Sequence, residues 1–156
     1  MSITSRAFFS TTSLSQERIV DSLKYELSVH TQKDTVRVKI LNHLVYYTYR
    51  NNHQKALEYA EQAGKLSDEI NHPKGKARSV YMRGIALLGK SDLNGSIKSL
   101  KEAIRLYDAI DDRSGISGCN NALGVIYNLQ GKYELAWQTF QMSMDADKEL
   151  GIKKNI

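Results

Sequence analysis

Apolar residues recur along the chain at the spacing of an amphipathic helix, and the runs are interrupted at regular intervals. Near the C-terminal end, Leu123, Ile126, Tyr127 and Gln130 follow helical spacing until Gly131 interrupts them. Tyr133, Ala136, Trp137, Phe140 and Met144 then form a stripe at i, i+3, i+4, i+7 and i+11. The same kind of break falls at Asn51-Asn52 and at Ser91-Asp92. Two longer turn-like stretches, Asn71-His72-Pro73-Lys74-Gly75 and Asp111-Asp112-Arg113-Ser114-Gly115, separate one pair of runs from the next. Pro73 suits the first turn of a helix, where its missing N–H costs nothing. A further run with Ile19, Leu23, Leu27 and His30 on its inner face predicts a helix over 16–30. The pattern as a whole predicts an all-α chain of seven helices without strands.

The interruptions are periodic. Displaced by 40 residues, Gly84 falls on Gly124, Leu87 on Tyr127, Ser96 on Ala136, Leu100 on Phe140 and Ile110 on Leu150. The same shift carries Ala63 onto Ala103, Leu66 onto Leu106, Asp68 onto Asp108 and Gly75 onto Gly115. Three helix-turn-helix copies result, 36–75, 76–115 and 116–155, preceded by the extra helix at 16–30. Residues 1–15 hold eight Ser or Thr and no continuous apolar core, which predicts a flexible leader and not an intact secretory signal. The segment Gly151–Ile156 aligns with Asp111–Ile116, where a new helix begins. A repeat stack needs a polar cap at each end. The sequence therefore predicts a fragment of a longer array or an end that self-associates, with a stand-alone scaffold as the alternative.

The third copy reads Leu123-Gly124-x-x-Tyr127 and then Ala136-x-x-x-Phe140. This spacing resembles the tetratricopeptide repeat, in which small residues let two helices approach and aromatic ones fill the gap. The second copy keeps Gly84, Leu87, Ser96, Leu100 and Ala103, and the first keeps Leu44, Tyr47, Ala56, Ala60 and Ala63. The usual early Trp is replaced by Ile40, Val80 and Asn120, and the usual late Pro is absent. The long period and the Asp112-to-Gly115 linker look like the long-helix branch of that family. That branch includes bacterial peptide-sensing regulators, arrays preceding sensor kinases, and polarity scaffolds. The resemblance implies a right-handed α-solenoid without catalytic activity or cofactor, binding a protein or peptide in a groove lined by the first helix of each repeat. Carried over, the groove positions are Asn42, Val45 and Tyr49, then Arg78, Tyr81, Met82 and Ile85, then Asn121, Val125 and Asn128. The Lys/Asn carboxylate clamp of chaperone-binding members is missing, since its places hold Leu41, Val45, Tyr81, Ile85, Asn121 and Val125.

Composition narrows the picture further. The chain has 156 residues, 41% of them hydrophobic and 25% charged, which suits one globular domain and is too apolar for a disordered chain. Its longest apolar stretches, such as Ile85–Leu88, are far too short to span a membrane. The net charge of +5 is spread as 0 over 1–30, +2 over 31–75, +3 over 76–115 and 0 over 116–156. Nucleic-acid binders concentrate basic charge more than this, so no nucleic-acid partner is expected. The expected compartment is the cytoplasm, or the periplasm if residues 1–15 are the remnant of a trimmed signal. Cys119 stands alone, which excludes an internal disulfide and a cysteine-based zinc site, and it reads as a small buried thiol. His30, His43, His53 and His72 are scattered without metal-ligand spacing, so no metal is expected.

One motif competes with the repeat reading. Gly84-Ile85-Ala86-Leu87-Leu88-Gly89-Lys90-Ser91 satisfies the phosphate-loop pattern, in which Lys90 would reach the outer phosphates and Ser91 would hold magnesium. A phosphate loop follows a buried strand and opens a helix. Ala77–Arg83 has no β-rich run, and Gly84 is the equivalent of Gly124 in the repeat. The sequence therefore favours helix through Ile85–Leu88 and a turn at Lys90-Ser91, with nucleotide binding as the reading of another class.

Overall fold

Short polar stops cut the chain into helices, and four of the stops share one geometry. Asn71, Ser91, Asp111 and Gly131 adopt left-handed backbone angles, with φ of 51°, 66°, 52° and 71°. Each is followed by a residue whose N–H bonds back five positions: His72 to Ser67, Asp92 to Leu87, Asp112 to Tyr107 and Lys132 to Tyr127. This is the Schellman ending of a helix. At three of these stops the residue that closes one helix also opens the next. Asp92 and Asp112 accept from the N–H of Gly95 and Gly115 at 2.9 Å, while His72 is the N-cap of its helix without a side-chain bond to it.

The computed structural model describes the backbone of residues 3–154 and the side chains of 14–146, 148 and 151. Seven helices occupy the described residues: α1 (Ile3–Val29), α2 (Thr35–Thr48), α3 (His53–Glu69), α4 (Pro73–Gly89), α5 (Leu93–Asp108), α6 (Arg113–Leu129) and α7 (Tyr133–Lys154). The chain is all-α, and three hairpins, α2/α3, α4/α5 and α6/α7, repeat at the spacing read from the sequence. Each helix packs on its neighbours in sequence, and the first helices also touch in series, α2 on α4 and α4 on α6. No helix contacts another more than two places away among the described residues, as expected of a solenoid-like stack. No helix is long and apolar enough to cross a membrane among the described residues.

Two element boundaries differ from the sequence expectation. α1 begins at Ile3, not near residue 16, so helix runs through most of the expected leader. No Gly or Pro stands between Ile3 and Val29, and the hydroxyl residues lower helix propensity without stopping a helix. At the other end α7 continues through Gly151 to Lys154, where a turn was expected. The turn at Asp111-Asp112 depends on a capping carboxylate, and the position equivalent to Asp112 is Ile152. The side chains of Leu150 and Ile152–Ile156, which enter the expectation of a further repeat, lie outside the described residues, as do those of 1–13.

Hydrophobic burial joins the layers in two clusters. Leu23, Val38, Leu41, Leu44, Ala60, Ala63 and Met82 belong to the first, spanning α1 to α4. Val80, Leu100, Ala103, Cys119, Ile126 and Ala136 belong to the second, spanning α4 to α7. Tyr81 packs against both. On α1 the inner face is made by Val20, Leu23 and Leu27, while Ile19 is exposed. The end of α1 is tied to α2 through polar contacts. Arg37 donates to the carbonyls of Leu27 and His30, and Asp34 accepts from the Arg37 N–H at 3.0 Å and meets His30 Nε2 at 2.8 Å. These bonds hold the Asp34 carboxyl below its ordinary pKa, the Arg37 N–H contributing most.

The hairpins close by exchanging volume at one contact. In α4/α5 a methyl on Gly84 would stand 3.0 Å from Leu100, and Ser96 donates to the Gly84 carbonyl at 2.7 Å. In α6/α7 a methyl on Gly124 would stand 2.5 Å from the Phe140 ring. In α2/α3 the equivalent positions are Leu44 and Ala60, large and small reversed, and both are buried.

Candidate functional site

The first helices of the hairpins, α2, α4 and α6, touch in series and so present one continuous face. Tyr81 is its centre: half-buried, with its hydroxyl 4.0 Å from where a side chain on Gly118 of α6 would begin. The Arg78 guanidinium lies 5.3 Å from the centre of the Tyr81 ring, a cation–π arrangement that helps hold it in place. Burial raises the Tyr81 pKa, Arg78 opposes the shift, and Cys119, Tyr49 and Tyr46 add to it, which marks them as neighbours. Tyr46 meets Tyr47 edge-on at 5.1 Å and Tyr49 at 6.3 Å, and Arg50 covers the Tyr49 ring at 5.4 Å. Of the residues carried over from the resemblance, Arg78 and Tyr81 are in contact and Tyr49 lies near them, with Tyr46 as a further neighbour that the sequence reading did not include. Its signal was an aromatic residue out of phase with the core stripe, left 55% exposed.

Three expected groove residues are interior. Met82 is 1% exposed, Val45 is 0% and Asn42 is 5%. They lie on the sides of α2 and α4 turned toward neighbouring helices, where contact between first helices covers them. Met82 and Val45 belong to the core. Ile85 is half-buried against the second cluster. Asn121, Val125 and Asn128 are exposed on α6. The Asn42 side chain has a more specific environment, because its Oδ1 is buried without a hydrogen-bond partner.

Asn42 borders a cavity of about 620 Å³ at the end of this face where the first helices begin. The opening turns of three helices line it: Thr35 and Lys39 from α2, Lys74 and Gly75 from α4, Ser114 and Gly115 from α6. His43, His72, Arg78, Tyr107 and Asp112 complete the polar lining. Asp112 is engaged twice, capping α6 and pairing with Lys74 at 3.3 Å. Lys39 and Arg78 have no carboxylate at ion-pair distance among the described residues. Behind Arg78, burial raises the Tyr107 hydroxyl pKa and pushes the Cys119 thiol up to about 12, while Arg78 pulls both down. A thiol so shifted is neutral at physiological pH and inert as a nucleophile.

The phosphate-loop pattern forms no cradle. Gly84–Gly89 is the C-terminal end of α4, and the N–H groups of Lys90, Ser91 and Asp92 bond to the carbonyls of Ala86, Leu88 and Leu87. Those donors face the end of a helix that carries partial negative charge.

No family model matches the chain, and no curated protein is detectably similar to it in sequence.

Proposed function

We propose that this chain is a non-catalytic protein- or peptide-binding module of the tetratricopeptide type, using the face of α2, α4 and α6. The observation that carries the reading is two neighbouring pairs on that face, Arg78 over the Tyr81 ring and Tyr46 against Tyr49, with no carboxylate at ion-pair distance from Arg78 among the described residues. Aromatic rings with one fixed guanidinium bind peptides at low entropic cost, since few rotatable bonds are frozen. The exposed Asn121 and Asn128 amides on α6 suit peptide main-chain groups. The resemblance supplies the setting, a regulatory or sensory part of a longer bacterial signalling protein such as a sensor kinase or transcription regulator. The test is selection of displayed peptides on the whole chain, with counter-selection on a variant carrying Arg78→Glu and Asn121→Ala. Peptides that bind the parent and lose the variant, while helical content and melting temperature stay unchanged, support the reading. Equal binding to both sinks it.

A second reading, a scaffold that self-associates, draws on α7. Shifted by 40, Tyr133, Trp137 and Met144 occupy the places of Leu93, Ile97 and Ile104, which pack against the second core cluster from α5. On α7 those side chains are 71%, 62% and 51% exposed, and α7 contacts α6 alone among the described residues. Sedimentation velocity over a concentration series, repeated with Trp137→Glu, separates the readings. Association that the variant abolishes favours the scaffold, and a monomer throughout removes it.

A further inference from the structure

We propose that the partner of the α2, α4 and α6 face is an acidic peptide segment, whose carboxylate side chains, set about three residues apart, meet Lys39 and Arg78. The inference rests on the peptide-binding reading above and adds the chemistry of the ligand to it.

Charge is segregated by layer, which a count along the sequence hides. The first helices α2, α4 and α6 hold seven Lys or Arg and no Asp or Glu. The second helices α3, α5 and α7 hold eight Lys or Arg and ten Asp or Glu. α1 and the connecting turns are balanced, so the net +5 of the chain is a basic first-helix layer against a slightly acidic second-helix layer. The second helices pair charges within themselves, Lys55 with Glu58, Lys65 with Glu61 and Lys148 with Asp145. The first helices have no carboxylate with which to form such pairs. Their layer is also the inner one. α2 touches α4 and α4 touches α6, while α3, α5 and α7 do not touch one another among the described residues. Closer spacing on one side curves a stack toward that side, and cations on the resulting concave surface add their fields.

Five of the seven cations are engaged. Arg37 is held by the carbonyls of Leu27 and His30. Lys74, Lys76, Arg83 and Arg113 pair with Asp112, Asp68, Glu102 and Asp111, carboxylates of turns and second helices. Lys39 and Arg78 remain, both exposed, and no carboxylate stands at ion-pair distance from either among the described residues. The Arg78 guanidinium meets the Tyr81 ring and the Tyr107 hydroxyl, neutral groups that leave its charge uncompensated. Lys39 and Arg78 border one cavity from adjacent helices, which puts them within reach of one bound segment. Packed helices stand about 8–10 Å apart and an extended chain advances about 3.3 Å per residue, which sets the spacing of the two carboxylates. Tyr46, Tyr49 and Tyr81 offer aromatic surface to the residues between them, and Arg50 on the Tyr49 ring adds a cation at the far end of α2. A nucleic-acid backbone, charged at every residue, calls for many more free cations than these.

The test begins with the displayed-peptide selection on the whole chain and sequencing of the peptides that the Arg78→Glu, Asn121→Ala variant loses. Those peptides should be enriched in Asp or Glu, in pairs about two to four residues apart. Fluorescence anisotropy then follows the tightest acidic peptide. Arg78→Gln should weaken its binding about tenfold and Lys39→Gln about threefold, and Arg78→Lys should keep part of the affinity. Lys101→Gln on α5 removes the same charge from the outer layer and should leave the affinity unchanged. All three positions are exposed, and circular dichroism checks that each variant is folded. Face-dependent peptides without enriched acidic residues overturn this inference and leave the peptide-binding reading standing. A selection that yields no face-dependent peptide removes both. Equal losses from Lys101→Gln and Arg78→Gln would trace binding to net charge alone and overturn the inference. Tighter binding of a single-stranded DNA oligonucleotide with the same net charge as the peptide overturns it as well.

Discussion

At single positions, the fold turns on where a side chain is missing. Gly124 lets the Phe140 ring approach to a distance at which a methyl group would stand 2.5 Å from it. Gly124→Ala should therefore destabilise the chain by about 1–3 kcal/mol through overpacking, and Phe140→Leu in the same chain should restore part of the loss. Urea denaturation of the two single variants and the double variant measures the coupling, and strictly additive effects would contradict the contact. The same exchange of volume explains why the first hairpin carries Leu44 where the others carry glycine. Its partner there is Ala60, so the bulk sits on the other helix.

Among the elements, the turns decide the register of the stack. Ser91 holds φ at 66°, a conformation that costs a residue with a Cβ about 1 kcal/mol and glycine almost nothing. Ser91→Gly should raise stability by up to about 1 kcal/mol, less the added entropy of the unfolded chain. Asp92→Ala next to it should lower stability by about 1 kcal/mol, because the N–H of Gly95 loses its acceptor. Thermal melts of both variants check the pair, and the opposite signs test the geometry of this turn directly. The helices themselves were legible from apolar spacing because burial on one side imposes the period. Their ends were legible where a polar cap, a proline or a glycine marked them. At 1–15 the composition suggested a leader, but nothing in it breaks a helix. At 151 the periodicity suggested a turn, but the capping carboxylate that makes one was missing.

For the molecule as a whole, the joint between α4, α5 and α6 links stability to pH. The Cys119 thiol ionises at about 12 in the folded chain against an ordinary 9.0, and burial raises Tyr107 and Tyr81 above their ordinary 10.0. Above pH 9 the unfolded thiol releases a proton that the folded one retains, so the folded state binds more protons and stability falls as pH rises. The contribution is intact below 9 and is lost progressively toward 12. Urea midpoints measured from neutral to alkaline pH should decline for the parent chain. Cys119→Ala, less stable at neutral pH through the lost volume, should decline less steeply. Parallel curves would show that the thiol is not shifted.

The expected groove shows how far one-dimensional pattern reaches. Of the positions carried over from the repeat resemblance, Arg78, Asn121 and Asn128 are exposed and Tyr81 is half-buried. Met82 and Val45 were misplaced because the side-by-side contact of α2 with α4 covers the flank of each first helix, a coverage that depends on the stacking angle and not on phase.

The sequence by itself determined seven helices, their pairing into three hairpins and the repeat of forty residues, because each follows from local spacing and from turn residues a few positions apart. Only the tertiary structure decided which flank of each first helix stays open, that Asn42 is buried with an unpaired oxygen, and that three helix beginnings share one cavity. Those features depend on distances between copies of the repeat, and a periodic pattern carries no record of how its copies are rotated against one another.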